Sequence, residues 1–123
     1  MPDSPDVRIA VDPSALDGLR RFGGDDLLRK LVLLFREQMR IRGEAMRSAA
    51  AKGDAQAARQ AAHALKSSAA QLGATGLRDI CQRVESAAID GDTAAFTSAI
   101  AEIDTAIPIV DAWLTDRGFP PEP

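Results

Sequence analysis

The chain reads as an all-α protein, an antiparallel up-down-up-down four-helix bundle with a short additional N-terminal helix. Three observations predict this. Apolar residues recur at three- and four-residue spacing through most of the 123 residues, the period of a helix with one buried face. Alanine is abundant, tyrosine is absent and β-branched runs are few, which favours helix over strand. Most periodic stretches open on an aspartate and close on a glycine, the chemistry of helix caps.

Asp12 followed by Pro13 is an N-cap with proline at the first helical position, where its missing N–H costs nothing. It opens a short helix carrying Leu16, Leu19 and Phe22, which Gly23-Gly24 ends. Asp25-Asp26 starts a long helix with Leu28, Leu31, Phe35, Met39 and Met46 in register, stopping at Lys52-Gly53. Asp54 caps the next helix, which Gly73 terminates. Thr75 or Gly76 begins another, carrying Leu77, Ile80, Cys81, Val84 and Ala88, and Gly91 ends it. Asp92 caps the last, with Phe96, Ile100, Ile103, Ile107, Val110 and Leu114 on one stripe, closing at Gly118. Connections this short make successive helices antiparallel neighbours. Residues 1–10 and 118–123 are expected to be flexible ends.

Three features strain the pattern. Pro108 falls inside the last helix, where a lost hydrogen bond and a clash with the preceding turn predict a kink or break. Gly43 interrupts the stripe of the long helix beside Arg42, as either a point of close packing or a weak point. Leu27, Leu34 and Ile41 form a shoulder wider than one bundle seam requires. The N-terminal helix is expected to cover most of that shoulder; the alternative is an exposed patch that docks a partner.

Composition bounds the function. A chain of 123 residues is one domain with a sufficient core. The net charge of −3 argues against general nucleic-acid binding, although several arginines share one helix. The lone Cys81 has no internal disulfide partner and reads as a packed thiol in a reducing compartment. No uninterrupted apolar run approaches the roughly 18 residues of a membrane span. The N-terminus is acidic where a signal peptide is basic, so the expected location is the cytoplasm. The initial Met and tail-like ends favour an independent small protein, likewise expected to be a monomer, over a domain excised from a larger kinase.

His63 is the only histidine. On a helical wheel, Ala58, Ala61, Leu65, Ala69 and Leu72 gather on one face, at about 100° per residue. His63 points the other way, flanked by Arg59, Gln60, Lys66, Ser67 and Ala70, small or polar neighbours that leave the imidazole open to a large partner. Taken alone, such a histidine is most often an ordinary surface residue. Position links it to the following helix. With Ala74 at the centre of the turn, His63 lies eleven residues before and Glu85 eleven after. At 1.5 Å per residue both are roughly 16 Å from the turn, and so level. Glu85 sits at the margin of its apolar face, where a carboxylate can accept the Nδ1 hydrogen and leave Nε2 as the free nucleophile. The plainer alternative is a surface pairing of Glu85 with Arg78 or Arg83.

His63-Ala64-Leu65-Lys66, with Gly73 ten residues after the histidine, resembles the signature of histidine phosphotransfer (HPt) domains, written H-x-L-K-G. Leu77 and Glu85 extend the likeness, which is good from about Asp54 to Ala88 and looser in the flanking helices. Ser67 departs from the glycine that commonly follows the lysine. The resemblance implies a phosphoryl carrier in a two-component relay, whose histidine takes phosphate from a receiver-domain aspartate or a sensor histidine kinase. It then gives the group to another receiver. It further implies no kinase activity of its own and no intrinsic cofactor, with Mg²⁺ supplied by the receiver.

The residue types suit that chemistry. A neutral imidazole is nucleophilic near neutral pH, its ordinary pKa being about 6.5. Phosphoryl transfer passes through a loose transition state, so positioning and charge stabilisation dominate. Lys66, one turn beyond His63, is expected to hold its ammonium beside the phosphoryl oxygens, though it also reads as a plain solvated lysine. Ser67 and Ala70 give low relief for partner binding, with Arg59 and Gln60 as rim contacts. A metal-dependent bundle enzyme is disfavoured, since the chain has no Glu-x-x-His pair. A non-catalytic helical adaptor remains the structural alternative, and it needs no particular residue at position 63.

Overall fold

The structure, a computed structural model, describes residues 9–121. Four α-helices make up the described chain: α1 (Pro13–Lys52), α2 (Ala55–Leu72), α3 (Thr75–Ile89) and α4 (Thr93–Asp116). Each packs against its neighbour in sequence and α1 closes the ring against α4, while α2 and α4 barely touch across the diagonal. The order of contacts is that of a four-helix bundle. Side-chain pairings fix the direction. On α2 and α3, His63 meets Glu85 and Lys66 meets Gln82. On α1 and α4, Arg36 meets Asp111 and Arg47 meets Asp104. Numbers rise on one helix as they fall on its partner, so both pairs are antiparallel.

The aspartate caps form as the sequence predicts. Asp12, Asp54 and Asp92 accept from the backbone N–H groups of Ser14, Ala57 and Ala95 at 3.1, 3.1 and 3.0 Å. The short N-terminal helix and the long one are two arms of α1, divided at Gly24, whose φ of 81° and ψ of 179° leave the helical region. Only glycine adopts that backbone readily. α3 starts at Thr75 and has no side-chain cap. The chain ahead of Pro13 takes over that role: Gly76 N–H donates to Ala10 O at 2.8 Å, and Asp12 N–H to Gly73 O at 2.7 Å. Residues 9–12 thus strap across the α2–α3 turn and satisfy groups that both helix ends leave open.

That strap explains Gly73 twice over. It caps α2 with a left-handed φ of 85°, and a Cβ there would lie 2.3 Å from Asp12 O. Gly43 has a packing role too, since a Cβ would come 3.1 Å from Ile107 Cδ1 on α4. Close approach of α1 and α4 is the alternative the structure selects.

The core runs the length of the bundle through Leu28, Val32, Phe35, Met39 and Met46 of α1, Leu65 and Leu72 of α2, Leu77 and Val84 of α3, and Phe96, Ile103 and Leu114 of α4. Cys81 is buried among them, and loss of solvent pushes its thiol up to about 12.

Two expectations are corrected. The N-terminal arm does not cover the shoulder of α1. Bent at Gly24 and tied to the α2–α3 turn, it buries its own Leu16, leaves its own Phe22 in solvent, and leaves Leu34 and Ile41 of the shoulder exposed while Leu27 is half-buried. Pro108 does not break α4, which is continuous from Thr93 to Asp116. Pro108 and Asp104, whose carbonyl the proline leaves without its helical donor, are both at exposed positions, where solvent can replace the lost hydrogen bond. Parts of both ends make contacts with the bundle. Ile9 and Phe119 lie against the core, and Pro120 O accepts from Arg36 Nη1 at 2.9 Å. The remainder, residues 1–8 and 122–123, lies outside the described residues.

α4 is the one described helix long and apolar enough to cross a membrane, its best 18-residue window having mean hydropathy 1.2. Here its stripe of Phe96, Ile100, Ile103, Val110 and Leu114 is a wall of the bundle core.

Candidate functional site around His63

His63 stands on the outer face of α2, its side chain 64% exposed. The apolar face read from the sequence, Ala58, Ala61, Leu65, Ala69 and Leu72, is buried together with Ala62. That burial fixes the rotation of α2 and turns position 63 outward. The backbone therefore presents the imidazole; no local distortion is needed.

Glu85 reaches the ring from α3. Its Oε2 lies 3.0 Å from His63 Nδ1 while its side chain is only 9% exposed. The surface pairing is ruled out, because Arg78 bonds Asp79 and Arg83 bonds Glu102. Glu85 Oε1 takes the Lys66 ammonium at 2.5 Å, so each carboxylate oxygen has its own partner. Burial pushes the carboxyl up, but the Lys66 and His63 contacts outweigh it and hold the group below the usual carboxylate range. Glu85 is thus a buried anion facing the Nδ1 edge. Such an acceptor favours the tautomer with its proton on Nδ1.

Lys66 differs from expectation in where its charge goes. The ammonium is committed to α3, with Gln82 Oε1 at 3.0 Å as well as Glu85. Gln82 in turn donates through Nε2 to Ser86 Oγ at 3.2 Å. Gln82 belongs to no motif in the sequence, but its position signals the contact. Lys66 lies eight residues before Ala74 and Gln82 eight after, the same mirror relation that pairs His63 with Glu85.

Arg59, Gln60, Ser67 and Ala70 are all exposed on α2, at helical positions one or two turns either side of His63. Ser67 Oγ turns back to the His63 carbonyl at 3.4 Å, which keeps its relief low. Beside this face, Leu31, Leu34, Gln38, Ser68 and Gln71 line a shallow groove between α1 and α2.

The structure thus sets a lone exposed histidine against a buried carboxylate on the wall of an antiparallel helical bundle. A family profile described as the Hpt domain matches residues 30–113, and the chain belongs to the Hpt domain family. Its structure is similar to that of histidine-containing phosphotransfer protein B (HptB) from Pseudomonas aeruginosa PAO1. The TM-score is 0.82 at 25% identity, over 88% of this chain and 93% of that one. No curated protein matches the chain. Membership makes it a phosphotransfer carrier of two-component signalling, the class that works with receiver domains.

Proposed function

We propose that His63 is the phosphoryl-carrying residue. It accepts the group from a receiver-domain aspartate or a sensor histidine kinase and passes it to another receiver's aspartate. The observation that carries this reading is the contact of His63 Nδ1 with Glu85 Oε2 at 3.0 Å on an otherwise open ring. With the proton held on Nδ1, the Nε2 lone pair attacks phosphorus. The N–P bond forms as the P–O bond to the aspartyl carboxylate breaks, and the aspartate leaves as its carboxylate. The ring gains positive charge while Nδ1 keeps its proton, and the Glu85 anion offsets that charge across the hydrogen bond. Return of the group to a second aspartate is the same step reversed.

Lys66 supports the anion at Glu85 and lies one turn from the incoming phosphoryl oxygens, where its third donor is available. The receiver brings Mg²⁺ and the acidic pocket, so the chain acts as a carrier without kinase activity. The partner approaches over Ser67 and Ala70, with Leu34 and Ile41 as apolar contacts and Arg59 and Gln60 at the rim. A cytoplasmic monomer that binds neither nucleic acid nor membrane fits a carrier with net charge −3.

A relay assay tests the reading. Labelled phospho-receiver is mixed with the chain, and a second, unlabelled receiver is added after the first is removed. Label passing through the chain to the second receiver is the expected result. A chain that never becomes labelled contradicts it and leaves the helical adaptor.

A further inference from the structure

We propose, on the basis of the phosphotransfer reading, that Gln82 is a positioning residue of the site. Its side-chain carbonyl holds the Lys66 ammonium over Glu85 Oε1 and so reserves Oε2 for His63 Nδ1.

The contacts form one line across two helices: Ser86 to Gln82 at 3.2 Å, Gln82 to Lys66 at 3.0 Å, Lys66 to Glu85 at 2.5 Å and Glu85 to His63 at 3.0 Å. Donor chemistry fixes its sense. An ammonium only donates, so the Gln82 amide must present its oxygen to Lys66, which turns its NH₂ toward Ser86 Oγ. A lysine held by one carboxylate alone keeps much of its side-chain freedom. A second acceptor one turn along α3 confines the ammonium between two points. The Glu85 carboxylate is thereby confined as well, because rotation would pull Oε1 off the charge.

The consequence falls on the imidazole. When Oε2 stays opposite Nδ1, the ring proton stays on Nδ1 and Nε2 keeps its lone pair. When the carboxylate is free to turn both oxygens to Lys66, Nδ1 loses its acceptor and the Nε2–H tautomer gains population. That tautomer has no lone pair at Nε2 and does not attack phosphorus. Gln82 suits the task because it is neutral. A carboxylate at position 82 offers Lys66 a competing charge and draws it away from Glu85.

The test uses the full chain with ¹⁵N-labelled histidine at about pH 8.5, well above the ordinary imidazole pKa of about 6.5. The two ring nitrogen shifts report the tautomer, and phosphoramidate serves as a small donor that needs no docking surface. Wild type is expected to hold its proton on Nδ1. Gln82→Ala, at an exposed position, keeps its helical circular dichroism, shifts the ring toward Nε2–H and takes up phosphate about 3- to 10-fold more slowly, the effect of losing one orienting hydrogen bond. Ser86→Ala gives a smaller change in the same direction. Gln82→Ala with the tautomer and uptake rate of wild type overturns the role of Gln82. Failure of the phosphotransfer reading is distinguishable: wild type then takes phosphate from neither phosphoramidate nor a phospho-receiver, and the tautomer shift alone decides Gln82.

Discussion

Glu85 Oε2 stands 3.0 Å from His63 Nδ1, joining a buried carboxylate on one helix to an exposed imidazole on the next. A carboxylate in that place favours the tautomer with its proton on Nδ1. It also links the site to pH and to Lys66.

The pH dependence follows from Glu85, whose carboxyl is held below its ordinary range by Lys66 and His63 despite the opposing effect of burial. A carboxyl lowered on folding stabilises the fold above its unfolded pKa, about 4.3. That stabilisation disappears as pH falls through the lower folded value. Urea unfolding of wild type and Glu85→Gln should therefore differ most above about pH 5 and converge as pH falls through that lower value. A difference that stays constant from neutral to strongly acidic pH contradicts the assignment.

Lys66 and Glu85 should act as one unit. Lys66→Ala is expected to slow phosphoryl uptake about 10- to 100-fold, on the order of 1.4–2.7 kcal/mol of transition-state stabilisation. Glu85→Ala removes the partner of both His63 and Lys66, so adding it to Lys66→Ala should cost far less than the two single effects combined. Uptake rates at saturating donor for the two single variants and the double variant check this. Fully additive losses would separate the two residues.

The docking face is tested by relief and by exposure. Ser67→Leu should keep the fold yet block transfer from a receiver, since about 1 Å of misplacement costs roughly 100-fold. Leu34, 61% exposed, should tolerate Leu34→Asp in folding while weakening receiver binding. Both variants should still take phosphate from phosphoramidate. If receiver transfer stays at the wild-type rate in both, the partner approaches elsewhere.

The α2–α3 turn offers a stability test. Gly53 and Gly73 both cap helices in the left-handed region, so an alanine at either costs about 1–2 kcal/mol for conformation. Gly53 has only Thr93 Cγ2 at 3.9 Å near its missing Cβ, while Gly73 has Asp12 O at 2.3 Å. Gly73→Ala should thus lower the urea midpoint clearly more than Gly53→Ala. Equal losses would mean the strap of residues 9–12 contributes nothing.

Much of the architecture is legible in the sequence because its signals are local. Asp12, Asp54 and Asp92 cap helices through their own side chains, and apolar spacing sets which face of each helix is buried. The level relation of His63 and Glu85 follows from counting away from one turn. What stays hidden depends on the path of the chain through space. The bend at Gly24 carries the N-terminal arm to the α2–α3 turn, away from Leu34 and Ile41, and no spacing rule encodes that direction. Solvent exposure of Pro108 lets α4 continue through it. The commitment of Lys66 to Gln82 and Glu85 is a choice of rotamer, made by acceptors on a neighbouring helix.

Labelling of His63→Gln by a phospho-receiver tests the central claim most directly. Because the side chain lies outside the core, the variant should fold as a cooperative helical protein. Wild type should acquire label that is stable in alkali and lost in acid, and His63→Gln should acquire none. An acid-labile label on His63→Gln would place the phosphoryl group on another residue and contradict the account.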